Sequence, residues 1–94
     1  MASASTRVPT ASAGRYLQQL AKHWSHKLAV SYTPEAGTID FPNGAHVELR
    51  ADPATLAVVV TVPDGVDLAG MCGVVAEHLD RFAFREAPLP FNWA

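Results

Sequence analysis

The sequence predicts a two-layer α+β domain: an antiparallel sheet of four to five strands with two helices on one face, in the order α-β-β-β-β-α-β. Three observations predict it. Apolar residues recur at helical spacing over residues 10–25, the period falls to two between Leu28 and Val62, and a second helical stripe runs from Leu68 to Phe82. Strands joined by tight turns favour antiparallel pairing, and two one-sided helices bury their stripes best on a common sheet face.

The elements follow in order. Small and hydroxyl residues fill residues 1–6, so residues 1–9 are expected to form a flexible arm and residues 10–94 a single domain. In the first helix Ala13, Leu17, Leu20, Ala21 and Trp24 form the apolar stripe, Leu28 extends it, and Arg15, Gln18, Gln19 and Lys22 lie opposite. Thr10 or Ser12 can cap its start. Leu28, Val30 and Tyr32 then alternate with Ala29 and Ser31 as a half-buried strand does. Pro34 to Gly37 breaks that run, and Ile39 and Phe41 make a second strand. Pro42-Asn43-Gly44 is the strongest hairpin signal in the chain. Val47 and Leu49 form the third strand, with His46, Glu48 and Arg50 on its other face. In the fourth, Leu56, Val58, Val60 and Val62 oppose Ala57, Val59 and Thr61, and the apolar character of both faces predicts a strand that is central or covered on both sides. Asp67 caps a second helix whose stripe is Leu68, Met71, Cys72, Val75, Leu79 and Phe82. Leu89, Phe91 and Trp93 alternate again, predicting a short closing strand that Pro90 confines to an edge.

Composition bounds the function. Of 94 residues, 49% are hydrophobic and 17% charged, enough for one core and too apolar for a disordered chain. Seven Lys and Arg against nine Asp and Glu give a net charge of -2, the reverse of the basic excess that nucleic-acid binding requires. The charge is uneven: four basic residues and no acid precede Glu35, and all nine acids follow from there. The longest apolar run, residues 56–60, is far short of the ~20 residues of a membrane span. The opening MASASTRVPTASAG has no signal-peptide core. A lone cysteine, Cys72, excludes an internal disulfide and suits a reducing compartment. The expectation is a cytoplasmic protein that engages neither nucleic acid nor membrane.

Titratable groups gather at the two helix ends, as His23, His26 and Lys27 and as His78, Asp80, Arg81, Arg85 and Glu86. Histidines three apart on a helix share a face. His23, His26 and His78 are therefore candidate metal ligands, with His26 and His78 the pair put forward for a metal. A site needs a third ligand and supporting hydrogen bonds, for which Glu86 is available, as are His46 and Glu48, about 7 Å apart on one strand face. Arg81 and Arg85 form a candidate anion grip, with Glu77 and Asp80 as competing local partners. Plain structural readings stand beside these: a cation at a helix C-terminus complements the dipole, and His78 borders an apolar stripe. The chain has no Gly-rich phosphate loop, no Cys pair and no Gly-x-Ser-x-Gly elbow. Cys72 falls on a buried stripe where a thiol is inert. Catalysis by this chain is not expected, and no cofactor is specified.

HWSHK at residues 23–27, GTIDFPNG at residues 37–44, HLDRFAFRE at residues 78–86 and Trp93 together resemble a bacterial family, domain of unknown function 2218. The resemblance runs from Pro9 through nearly the whole chain, and HLDRFAFRE is its most specific part. It marks His23, His26, Lys27, His78, Arg81, Phe82, Arg85, Glu86 and Trp93. It implies a role in iron handling, because some such proteins are encoded beside siderophore-uptake or siderophore-reductase genes, and it implies no established activity. Two readings follow. One is a non-catalytic binding protein, an accessory in iron or siderophore handling, that uses a cluster of His23, His26, Lys27, His78, Arg81, Arg85 and Glu86. The other is a protein-interaction or homodimerisation module, without a small-molecule ligand, that uses Ala57, Val59 and Thr61 or the closing edge strand.

Overall fold

The computed structural model describes residues 1–94. Its elements are β1 (Ala2–Pro9), α1 (Ala13–Trp24), β2 (Ala29–Tyr32), β3 (Ala36–Asp40), β4 (His46–Ala51), β5 (Thr55–Val62) and α2 (Leu68–Phe82). All five strands pair antiparallel in the order β1-β5-β4-β3-β2. Both helices cover one face of this sheet, α1 over β2 to β5 and α2 over β5 and β1. The α+β class and the two-layer arrangement are those the hydrophobic periods predict.

The alternation of β5 fixes the core. Leu56, Val58, Val60 and Val62 are buried beneath the helices, whereas Ala57, Val59 and Thr61 are half-buried on the outer face. In register beside them stand Val47 and Leu49 of β4, and then Ile39 of β3. From above, α1 inserts Leu17, Leu20 and Ala21 and α2 inserts Met71, Cys72, Val75 and Leu79. Each Leu, Val or Met side chain among them contributes about 1.5–3 kcal/mol when fully buried. Gly37 of β3 allows α1 its close approach: a Cβ there would lie 3.2 Å from the Cβ of Tyr32 and 3.5 Å from Leu17. Gly44 turns the β3–β4 hairpin at φ +92°, a conformation that only glycine adopts without strain.

Residues 2–9 differ from the flexible arm expected of them: they form β1, paired with β5 along eight residues. Small side chains hid a genuine alternation. Thr6 and Val8 face the core and Ser3, Ser5 and Arg7 face out, and pairing with the central strand compensates for the weak hydrophobic contrast. The closing strand expected over residues 89–93 is instead irregular, since Pro88 and Pro90 lack ladder donors. Leu89 is nevertheless buried, its N–H donates to Asp80 Oδ1 at 2.9 Å, and the Asn92 N–H donates to Thr6 Oγ1 at 3.1 Å. Ser5 and Ala94 exchange two backbone hydrogen bonds, at 3.1 and 2.9 Å. The element order is therefore β-α-β-β-β-β-α.

Cap chemistry also departs from expectation. Ser12 occupies the N-cap of α1 and Asp67 that of α2, and neither makes a side-chain cap bond. Thr10 Oγ1 accepts the Ser12 N–H at 3.1 Å and donates its own proton to Glu86. No helix is long and apolar enough to cross a membrane.

Candidate functional site

The two helices run antiparallel. Tyr16, in the first turn of α1, hydrogen-bonds Glu86 beyond the end of α2, and Trp24, the last residue of α1, packs on His78 with ring centroids 4.9 Å apart. The sequence-predicted cluster is therefore brought together only in part: His23 and Trp24 at the end of α1 reach His78 and Phe82 of α2, while Arg85 and Glu86, beyond α2, lie by the start of α1.

At one end His23 and His78 meet. Their ring centroids are 5.7 Å apart with planes at 44°, and His23 also meets the edge of Phe82 at 5.8 Å. His78 Nδ1 lies 2.7 Å from the carbonyl oxygen of Val74, one turn earlier. A carbonyl only accepts, so Nδ1 carries the proton, and in the neutral ring Nε2 offers its lone pair. His23 is exposed and His78 half-buried, so the pair is open to solvent on one side and backed by Trp24 and Phe82 on the other.

His26 does not join them. The helix ends at Trp24, whose carbonyl accepts from both the Lys27 and Leu28 N–H groups. This tight turn takes His26 and Lys27 off the helical face on which a three-residue spacing would align them. Both are exposed. No three His, Cys, Asp or Glu side chains lie in an arrangement that could hold a metal ion.

Glu86 has a structural engagement at the opposite end. Its carboxylate accepts Thr10 Oγ1 at 3.0 and 3.1 Å and also the Tyr16 hydroxyl. The Tyr16 pKa is raised, first by that hydrogen bond, then by burial and by the negative charge of Glu86. Arg81 pairs with Glu77 one turn back, at 3.3 Å on the exposed face, where an ion pair contributes little. The Arg85 guanidinium lies 5.7 Å from the ring centroid of Phe84. It faces a cleft of about 200 Å³ that Arg15, Tyr16, Gln19, Phe82 and Phe84 also line. Arg15, Gln19 and Phe84 were not among the residues the sequence singled out. For Arg15 and Gln19 the signal was present in their spacing, four apart and in line with His23 along α1.

The outer face of the sheet carries a separate cluster. His46 Nδ1 contacts Asp40 at 2.6 Å and His46 Nε2 contacts Glu48 at 3.4 Å. The pKa of His46 is raised chiefly by the Asp40 hydrogen bond, against a smaller opposing effect of burial. β-strand alternation places these groups across the sheet from the helices, so neither His46 nor Glu48 reaches His78. Burial pushes the Cys72 thiol up, in keeping with an inert core residue. The half-buried stripe of Ala57, Val59 and Thr61 is one strand wide. Ser3, Ser5 and Arg7 flank it on one side and His46, Glu48 and Arg50 on the other.

Comparison with known proteins agrees with the architecture. The NMR structure of PA4090 from Pseudomonas aeruginosa is similar to this chain at 41% sequence identity and a TM-score of 0.82, over 100% of this chain and 96% of that one. No curated protein matches it. Residues 5–94 match the family described as uncharacterized proteins conserved in bacteria. Sequence motifs, fold and match agree, and the chain belongs to that bacterial family, DUF2218.

Proposed function

We propose that this chain is a non-catalytic binding protein whose His23 and His78 occupy open coordination positions of a metal ion carried by an anionic chelator. The observation that supports this most is the spacing of the two rings. Two imidazoles that share one metal, with bonds of roughly 2.0–2.1 Å and near-tetrahedral angles, have ring centroids about 5–6 Å apart, and these stand at 5.7 Å. The hydrogen bond from His78 Nδ1 to a backbone carbonyl is the support that metal-ligating histidines commonly have.

The reading takes two protein ligands rather than three or more. A resident structural metal needs about four protein ligands, and two do not fit it. Two do fit a metal whose remaining positions a chelator fills. Lys27, in the turn after α1, adds a positive charge for an anionic chelator, whereas Arg81, three residues beyond His78, is paired with Glu77. Glu86, bound to Thr10 and Tyr16, is left out of this site. Imidazole nitrogen suits iron as well as zinc, which accords with the iron-handling role that the family resemblance implies.

Thermal unfolding with Fe(II), Zn(II) and ferric citrate tests the reading. A probe at 100 times its dissociation constant adds about 2.7 kcal/mol of stability, and each kcal/mol moves the midpoint of a domain this size by about 4–8 °C. The shift is expected to vanish in His23→Ala, an exposed position, and to survive in His26→Ala. Failure of all three probes to shift the midpoint, or an undiminished shift in His23→Ala, would overturn the proposal.

A further inference from the structure

We infer that the cleft between α1 and the segment following α2 is a second binding site, for a planar aromatic carboxylate. It lies beside Tyr16, shares the Phe82 ring with the surroundings of His23, and does not require a metal at His23 and His78. Its walls come from two elements: Arg15 and Gln19 from the exposed face of α1, and Phe82, Phe84 and Arg85 from the end of α2 and the turn beyond it.

The charges are complementary to an anion. Among the arginines only Arg81 is in an ion pair, so the two guanidiniums of the cleft are unpaired. No acid lines the cleft, and Glu86, bonded to its Tyr16, has its oxygens engaged by Thr10 and Tyr16, so two positive charges against that one negative leave the cleft net positive. A guanidinium presents parallel N–H donors that match a carboxylate edge on, a geometry that lysine lacks.

The aromatic requirement comes from Phe84. It is 72% exposed, the most exposed large hydrophobic residue after Met1, and it stands within the same cleft. The Arg85 guanidinium lies over the Phe84 ring at 5.7 Å, and the rest of this exposed ring offers a surface for a flat ring to stack on while the carboxylate reaches the arginines. The volume of about 200 Å³ accommodates one ring with its carboxylate and little more.

Benzoate is the probe. Amide resonances of the metal-free, isotope-labelled protein are followed by NMR as benzoate is added, with cyclohexanecarboxylate and inorganic phosphate as comparisons. Saturable shifts confined to the amides around Arg15, Gln19, Phe84 and Arg85 are expected, with benzoate preferred to both comparisons. Arg85→Gln and Arg15→Gln, at exposed positions that leave the fold intact, are each expected to weaken benzoate about tenfold, as loss of a charge-assisted hydrogen bond does. Phe84→Ala is expected to abolish the preference for benzoate over cyclohexanecarboxylate. Absence of saturable shifts, unchanged affinity in Arg85→Gln, or equal binding of phosphate or cyclohexanecarboxylate by the unaltered protein would each overturn the inference. Because the protein is stripped of metal, none of these outcomes bears on the histidine pair.

Discussion

Tyr16→Phe isolates the contact that ties the two ends of the helix layer together. Tyr16 is 6% exposed and its hydroxyl donates to Glu86, so the substitution removes one hydrogen bond to a charged acceptor and leaves the ring packing intact. Such bonds contribute about 1.5–3 kcal/mol. Glu86 belongs to an exposed residue and retains the Thr10 hydroxyl, so the lower end applies, about 1.5 kcal/mol. For a domain of this size that is a fall of about 6–12 °C in the unfolding midpoint. The effect has a pH signature. The Tyr16 pKa is raised above 10.0 in the folded protein, so the native state holds that proton more tightly than the unfolded chain does. The resulting stability is fully present below the unfolded value and is lost as pH rises through the folded one. Urea unfolding followed by circular dichroism, at steps from neutral to alkaline pH, is expected to show the parent and Tyr16→Phe curves converging. Absorbance titration of Tyr16 in a Tyr32→Phe background is expected to place its ionisation above 10, and Glu86→Gln to return it toward that value. Equal stability of parent and Tyr16→Phe at neutral pH, or a difference that persists unchanged into the alkaline range, would refute the reasoning.

Two further predictions concern the sheet and the core. Leu79→Ala, at a fully buried position of α2, is expected to cost about 2–5 kcal/mol through lost transfer energy and the cavity left behind; a loss below 1 kcal/mol in urea unfolding would count against the packing described. On the outer face, His46 titrates above its ordinary value of 6.5 because of Asp40. Its contribution to stability is complete below that value and disappears as pH rises through the raised one. Asp40→Asn should lower the His46 pKa in an NMR titration and flatten the fall in stability across that window, and an unmoved His46 pKa would contradict the assigned pair.

The parts of this fold that were legible in the sequence are those where apolar contrast is high. Leu56 to Val62 announces a strand because every second residue is a large aliphatic, and Leu68 to Phe82 announces a helix by the same contrast at a different period. β1 was illegible for the opposite reason. Ala4 and Thr6 differ little in size from Ser3 and Ser5, and their strand character comes from pairing with β5 rather than from their own hydrophobicity. The closing segment misled in the other direction, since Leu89, Phe91 and Trp93 alternate while two prolines withhold the donors a ladder requires. At the candidate site, the histidines were visible and their grouping was not. Whether His26 or His23 meets His78 depends on where α1 stops and on the antiparallel helix pairing, and both are set by tertiary contacts such as Trp24 on His78. Glu86 looked like a ligand because the sequence does not reveal that Tyr16 and Thr10 lie beside it.

The pairing of β1 with β5 has a consequence for how the molecule assembles. Strands β2 to β5 form a meander of successive hairpins, each closed by a short turn, and can form early from local contacts. Pairing of β1 with β5 has to bridge that meander and α1, and the closing segment is held by contacts of still greater separation, such as Asn92 to Thr6, 86 residues apart. Closing such loops has an entropic cost that grows slowly, about 0.6 kcal/mol per doubling of length. The order of events, more than the total cost, is what the topology dictates. Until β1 docks, the long central strand β5 is an open edge rich in valine, the kind of surface on which chains associate. The unassuming first strand thus acts as the cover for a valine-rich edge that the meander alone would leave open.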